Sequence, residues 1–209
     1  LRGEARMQII HILPVSLLEK RAIIQPYEMY LAHLVLKYPE VYSKVSEYYN
    51  YRILDNSFNE LKGAMSLEEL DAAAKIIKPS EIVLPDCMDP YDNLRLIEKS
   101  LDSIESFESL RDLRKAAVVH ANSYNEACDV LRRLVSNRRV DTISMPRGIS
   151  DLAPFSKGRV LLAHDFRETK PFHFLGSVGL HEITGCSLKS VRSMDSGWFL
   201  NEAKNITDN

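Results

Sequence analysis

Three aspartates stand where chemistry could be done. Asp55, Asp86 and Asp195 each close a short apolar run, in YRILD, EIVLPD and SVRSMD. A run of that shape reads as a buried parallel strand delivering a carboxylate to the rim of a sheet, and α/β folds hold their reactive groups at strand C-terminal ends. Asp55 suits an acid/base or nucleophilic carboxylate, and equally a loop aspartate that caps the next turn through its side chain. Asp195 carries the same two readings, with Ser196 able to cap a following helix. Facing each other across one mouth, the two would suit retaining glycosyl transfer, one carboxylate as nucleophile and the other moving the proton, at roughly 5–5.5 Å. Asp86, followed by Cys87, could accept from the N–H groups of a purine edge, because an ionised acid is acceptor-only. The alternative for Asp86 is a loop position in a turn rich in Pro and Asp.

Weaker candidates surround these three. His120 ends the run AAVVH and, with Asn122, offers donors and acceptors to a ligand, although a lone histidine there is also an ordinary structural residue. Gly176 and Gly179 in HFLGSVG would admit a close backbone approach or serve a tight turn, and no GxxxxGK[ST] phosphate loop is present. Arg132, Arg133, Arg138 and Arg139 cluster at one predicted helix end. Contact with a phosphate backbone is one reading, and a solvated face favoured by the helix dipole is the preferred one.

The elements that must position these residues alternate. Short apolar runs near residues 8, 51, 82, 117, 141, 172 and 191 read as strands, separated by segments of helical period. Tyr27–Tyr38 is expected to be one helix, with Leu31, Leu34, Val35 and Tyr38 on one face. Ser66-Leu67-Glu68-Glu69 is a capping box opening a helix over Leu67–Ile77. Further helices are expected over Leu17–Ile24, Asp92–Ser106, Asn125–Ser136, Ile149–Ala163, Leu180–Cys186 and Gly197–Ala203. Strand–helix alternation implies a parallel sheet with right-handed crossovers, hence an α/β fold of (β/α)8 TIM-barrel type, short or incomplete. The eighth strand is sought within Val41–Tyr51, and a doubly wound open sheet is the alternative. The first six residues, LRGEAR, read as a remnant outside the fold, and residues 7–209 as one domain.

Composition narrows the class. A net charge of −2 gives no global nucleic-acid footprint, though a local basic face is still compatible with one. Cys87, Cys128 and Cys186 lack metal-ligand spacing and are expected to be free thiols in a reducing compartment, with no metal and no cofactor. No run approaches the roughly 18–20 apolar residues of a membrane span, and no secretory signal is evident, so a cytoplasmic protein is expected.

With these residues in view, the chain resembles the tRNA-guanine transglycosylase superfamily, more closely its phage DNA-modifying 7-deazaguanine relatives. Asp55-Asn56-Ser57-Phe58 stands where the family has aspartate-serine-glycine-glycine-phenylalanine or aspartate-asparagine-glycine. Pro85-Asp86-Cys87-Met88-Asp89-Pro90-Tyr91 is similar to its acidic-cysteine segment. Val119-His120-Ala121 resembles its valine-glutamine-glycine strand end, Phe174-Leu175-Gly176-Ser177-Val178-Gly179 its leucine-methionine-glycine-valine-glycine segment, and Met194-Asp195-Ser196 its nucleophile motif. The resemblance implies a pentosyltransferase that replaces guanine by a 7-deazaguanine through a covalent aspartyl-sugar. Asp195 would attack, Asp55 would shuttle the proton, and Asn56, Asp86, Cys87, His120, the Met145-Pro146 backbone and Gly176 would bind the substrate. The implied partners are nucleic acid (DNA rather than tRNA, since the family's cysteine-rich zinc segment is missing from this sequence), a free 7-deazaguanine base and a second copy as a homodimer. The implied setting is the cytoplasm of a phage-infected host. A non-catalytic nucleobase- or nucleotide-binding barrel, or a partner subunit, is the alternative.

Overall fold

A computed structural model of the chain describes residues 7–10, 12, 15, 18, 26–47, 50–176, 182 and 190–195. Eight parallel strands form one sheet: β1 (Gln8–Ile10), β2 (Tyr27–Leu31), β3 (Tyr51–Asp55), β4 (Glu81–Val83), β5 (Arg114–Val118), β6 (Thr142–Pro146), β7 (Phe172–Leu175) and β8 (Val191–Asp195). Their order is β1-β8-β7-β6-β5-β4-β3-β2. β1 and β2, the two ends of that order, pack against each other, and the sheet curls into a nearly closed α/β barrel of TIM type.

Alternation along each strand separates two cores, as the period-2 geometry of a strand requires. Ile53, Val83, Ala116 and Val118 point inward and join Ile10 and Met29 in the barrel interior. Leu54, Ile82, Ala117 and Ile143 point outward into a larger core shared with the helices. Asp55 follows Leu54 and therefore returns to the inside, at the mouth.

The helices are α1 (Ala32–Lys37), α2 (Pro39–Ser43), α3 (Phe58–Leu61), α4 (Leu67–Ile77), α5 (Pro90–Ser103), α6 (Tyr124–Ser136) and α7 (Gly158–Asp165). The capping box of α4 forms as expected: Glu69 N–H donates to Ser66 Oγ, and Ser66 N–H donates to the Glu69 carboxylate.

Three expectations are corrected. Tyr27–Tyr38 is not one helix. Its first five residues are β2, paired with β3 from Tyr27↔Tyr51 to Leu31↔Asp55, and only α1 is helical. The helical spacing of Leu31, Leu34, Val35 and Tyr38 is real, but the helical period ran back across a strand that meets its helix with no Gly or Pro between them. The missing strand is thus β2 and not part of Val41–Tyr51, which holds the end of α2 and a 3-10 turn over Lys44–Glu47. Third, Ile149–Ala163 is broken into two 3-10 turns, Arg147–Leu152 and Pro154–Ser156, before α7 begins. Pro154 interrupts the helix, and Gly158 packs so tightly that a Cβ there would sit 2.0 Å from the Ile149 carbonyl oxygen. The helices expected at Leu17–Ile24, Leu180–Cys186 and Gly197–Ala203 lie outside the described residues, apart from Leu18 and Glu182, which are helical.

Candidate active site

The strands end together at one mouth, so residues distant in sequence line one cavity of about 530 Å³, within the range of small-molecule sites. Asp55 from β3, His120 beyond β5, Pro146 from β6, Gly176 beyond β7 and Asp195 from β8 all contribute to its wall. Asp55 and Asp195 therefore face the same space.

Asp55 Oδ1 accepts a hydrogen bond from Ser57 N–H at 2.7 Å, so the turn-capping reading and the mouth-facing reading hold together. Ser57 takes φ 61° to make that turn, the left-handed region that a glycine would enter more easily. Burial pushes the Asp55 carboxyl up to about 7. The Ser57 N–H opposes the rise, while the carboxylates of Glu60, Asp195 and Asp86 add to it. A carboxyl so placed both gives and takes a proton near neutrality.

Asp195 is held differently. Its Oδ1 accepts from Gly176 N–H at 2.8 Å, and His173 Nε2 lies 3.3 Å from the same oxygen. Gly176 has φ +67°, open to glycine at little cost. Gly176 N–H thus fixes the Asp195 carboxyl group at the cavity wall, with His173 close by.

Asp86 lies in a smaller recess with Asn56, Phe58 and His120. His120 Nε2 is 2.5 Å from Asp86 Oδ2, and Asn56 Nδ2 donates to Asp86 Oδ1 at 2.7 Å and to the Leu84 carbonyl at 2.6 Å. The carboxylate is thus already engaged by two side chains of this chain. A ligand in the main cavity meets His120, with Asp86 orienting the imidazole from behind.

The remaining expected site residues fall elsewhere. Met145 does not reach the cavity: its side chain is buried and its carbonyl accepts from Arg159 Nη1 at 3.1 Å, so the adjoining Pro146 takes its place in the wall. Cys87 lies outside the cavity lining, its N–H bonded to Asn93 Oδ1 at 3.2 Å and its thiol pushed up by burial. Arg132, Arg133, Arg138 and Arg139 sit where α6 has run back to the N-terminal ends of the strands, opposite the mouth. Arg139 pairs with Glu98 and Asp102, and Arg132 with Asp129. Two of the four are thus paired with carboxylates, and all four lie away from the cavity and outside its lining.

Several lining residues were missed, among them Asn59, Glu60 and Arg147. Asn59 and Glu60 could have been found, because the first helical turn after a strand-end aspartate overhangs the same mouth. Among the described lining residues Arg147 is the only Lys or Arg, set against Asp55, Glu60 and Asp195. Among the described residues no cluster of His, Cys, Asp and Glu could hold a metal ion, and no helix is long and apolar enough to cross a membrane.

The fold and the mouth define a parallel α/β barrel presenting three carboxylates and a carboxylate-backed imidazole to one cavity. Comparison with protein-family models and with characterised proteins found no match to this chain.

Proposed function

We propose that the chain is a base-exchange enzyme acting on nucleic acid, replacing guanine by a 7-deazaguanine through a covalent aspartyl-sugar intermediate. Asp195 attacks C1′ of the target nucleoside and the glycosidic bond breaks. The departing guanine takes its proton from the Asp55 carboxyl. The incoming 7-deazaguanine returns a proton to the Asp55 carboxylate, attacks C1′ and releases Asp195. The observation that supports this reading is the shared cavity: Asp55 and Asp195 line the same space, and Asp55 is pushed up to about 7, where it serves as acid in one half-reaction and base in the other. His120, backed by Asp86 and Asn56, would hold the base. Phage DNA in an infected host's cytoplasm is the proposed substrate and setting, on the strength of the sequence resemblance.

Incubating the folded protein with labelled guanine and either DNA or tRNA tests the reading. Incorporation of label, with an adduct on Asp195 trapped by denaturation, is the expected result; absence of exchange on both polymers sinks it.

A second reading is favoured by one observation. The described lining carries three carboxylates and only Arg147 as a cation, a poor match for a phosphate backbone. A barrel that binds a free nucleobase without the polymer fits that charge balance. Tight calorimetric binding of the base, with no adduct on Asp195, would select it.

A further inference from the structure

Arg159, in the first turn of α7, is fully buried and is not itself among the residues lining the cavity, and the chemistry above does not use it. Its guanidinium donates in every direction. Nε reaches Ser150 Oγ at 2.8 Å and Glu182 Oε1 at 2.9 Å. Nη1 reaches the Met145 carbonyl at 3.1 Å and the Leu175 carbonyl at 2.8 Å. Nη2 reaches the Gly176 carbonyl at 2.8 Å and Glu182 Oε2 at 2.5 Å. The plane also lies 4.9 Å from the centre of the Phe174 ring. A buried cation is tolerated only with such complete pairing, and the planar fork of arginine is what allows it.

The Leu175 carbonyl is one end of a peptide whose other end is the Gly176 N–H. That peptide is planar, with oxygen and hydrogen pointing in opposite directions. Fixing the oxygen on Arg159 therefore aims the hydrogen away from α7, where Gly176 N–H donates to Asp195 Oδ1 at 2.8 Å. A charged donor on the carbonyl also polarises the peptide and strengthens its N–H as a donor.

We propose that Arg159, with Glu182 as its counter-charge, is a positioning residue for Asp195: it sets the Leu175–Gly176 peptide that orients the carboxylate. Its catalytic consequence rests on the base-exchange reading; the clamp itself does not. The test follows the Gly176 amide by NMR in nitrogen-15-labelled protein. In the unmodified chain this amide is expected to shift when Asp195→Asn is introduced, because it donates to that carboxyl group. Arg159→Lys keeps a charge opposite Glu182, but one ammonium cannot reproduce the fork. In that variant the Gly176 response to Asp195→Asn is expected to disappear while overall amide dispersion is retained. The rate of adduct formation should fall about 10²-fold with base affinity unchanged, as expected when a reacting group is misplaced. A folded Arg159→Lys whose Gly176 amide still responds to Asp195→Asn overturns the proposal. Should that variant not fold, the paired Arg159→Met, Glu182→Leu variant removes both charges at similar volume and is read in the same way. A wild-type protein without base exchange, but with an Arg159-dependent link between Gly176 and Asp195, would end the base-exchange reading and leave the clamp standing.

Discussion

The two sides of the barrel interior are built from different material. From β1 to β5 its middle is hydrocarbon: Ile10, Met29, Ile53, Val83, Ala116 and Val118. From β6 to β8 it is polar, with Ser144 beside His173 and His173 beside Ser193 in neighbouring registers. Below them Arg192 crosses the floor to Glu81 with contacts of 2.7 and 3.0 Å, joined by Thr142 and Tyr51. Each wall carries one of the two carboxylates. Asp55 stands on the apolar wall, where loss of water holds its proton to about 7. Asp195 stands on the polar wall, held by Gly176 N–H and close to His173. The two carboxyl groups at the mouth thus stand in different surroundings.

The largest effect that would break this contrast is at Asp195. Asp195→Asn is expected to lower base exchange at least about 10³-fold and to abolish the trapped adduct, read by mass spectrometry of denatured reaction mixtures. Residual adduct in this variant would move the nucleophile elsewhere.

Asp55→Asn should cost about 10²–10⁴-fold in turnover and remove the limb of the pH–rate profile near neutrality. Its effect on stability has the opposite sign. Folding raises Asp55 from the ordinary 3.8 to about 7, so between those values the folded chain keeps a proton that the unfolded chain has lost. Stability contributed by that proton is full below the lower value and falls as pH climbs towards the upper one. Asp55→Asn should therefore be more stable than wild type at pH 8, by about 2–4 kcal/mol, with the gap closing towards pH 4. Urea melts at the two pH values measure it; a gap that widens in acid would refute the assignment.

On the floor, Arg192→Met leaves the buried Glu81 without its bidentate partner and is expected to cost about 3 kcal/mol in chemical denaturation. Activity per folded molecule should survive, since the floor lies far from the mouth. The smallest change is Ser144→Ala. Ser144 Oγ is buried with no hydrogen-bond partner among the described residues, so its removal should alter stability by less than about 0.5 kcal/mol or improve it slightly. A loss well above that would mean the hydroxyl has a bridging water beneath Asp195, which sharpens the picture of the polar wall.

Much of this was readable in the linear chain, for physical reasons. Strands such as EIVLPD and AAVVH stand out because apolar residues end abruptly at a polar one, and the βα alternation then fixes which end is the mouth. The same alternation, followed through, would have put the arginines of α6 at the opposite end. β2 escaped because it runs into α1 without a breaking residue, so two periods merged into one. Asp55 and Asp195 were visible as strand-end carboxylates, whereas Arg159 was not. It reads as one more charged residue in a helix of mixed composition, and its meaning depends on Met145, Leu175, Gly176 and Glu182 converging from separate segments. The Asp86–His120 contact is hidden in the same way: each residue was noticed alone, and only the neighbouring ends of β4 and β5 bring them within 2.5 Å.

The register of β1 has a consequence for how the molecule is made. Gln8 pairs with Ser193 and Ile10 with Asp195, so an early strand waits for one of the last. On a ribosome adding about 5–20 residues per second, that wait is on the order of ten seconds. Through it β2 to β7 can assemble in order, each onto its predecessor, while the slot for β8 stays empty. The nascent protein is then an open sheet with bare edges, and the carboxylate proposed as nucleophile is the last of the described lining residues to arrive. Chaperone dependence, or aggregation of chains stalled short of β8, would be a property of this one pairing.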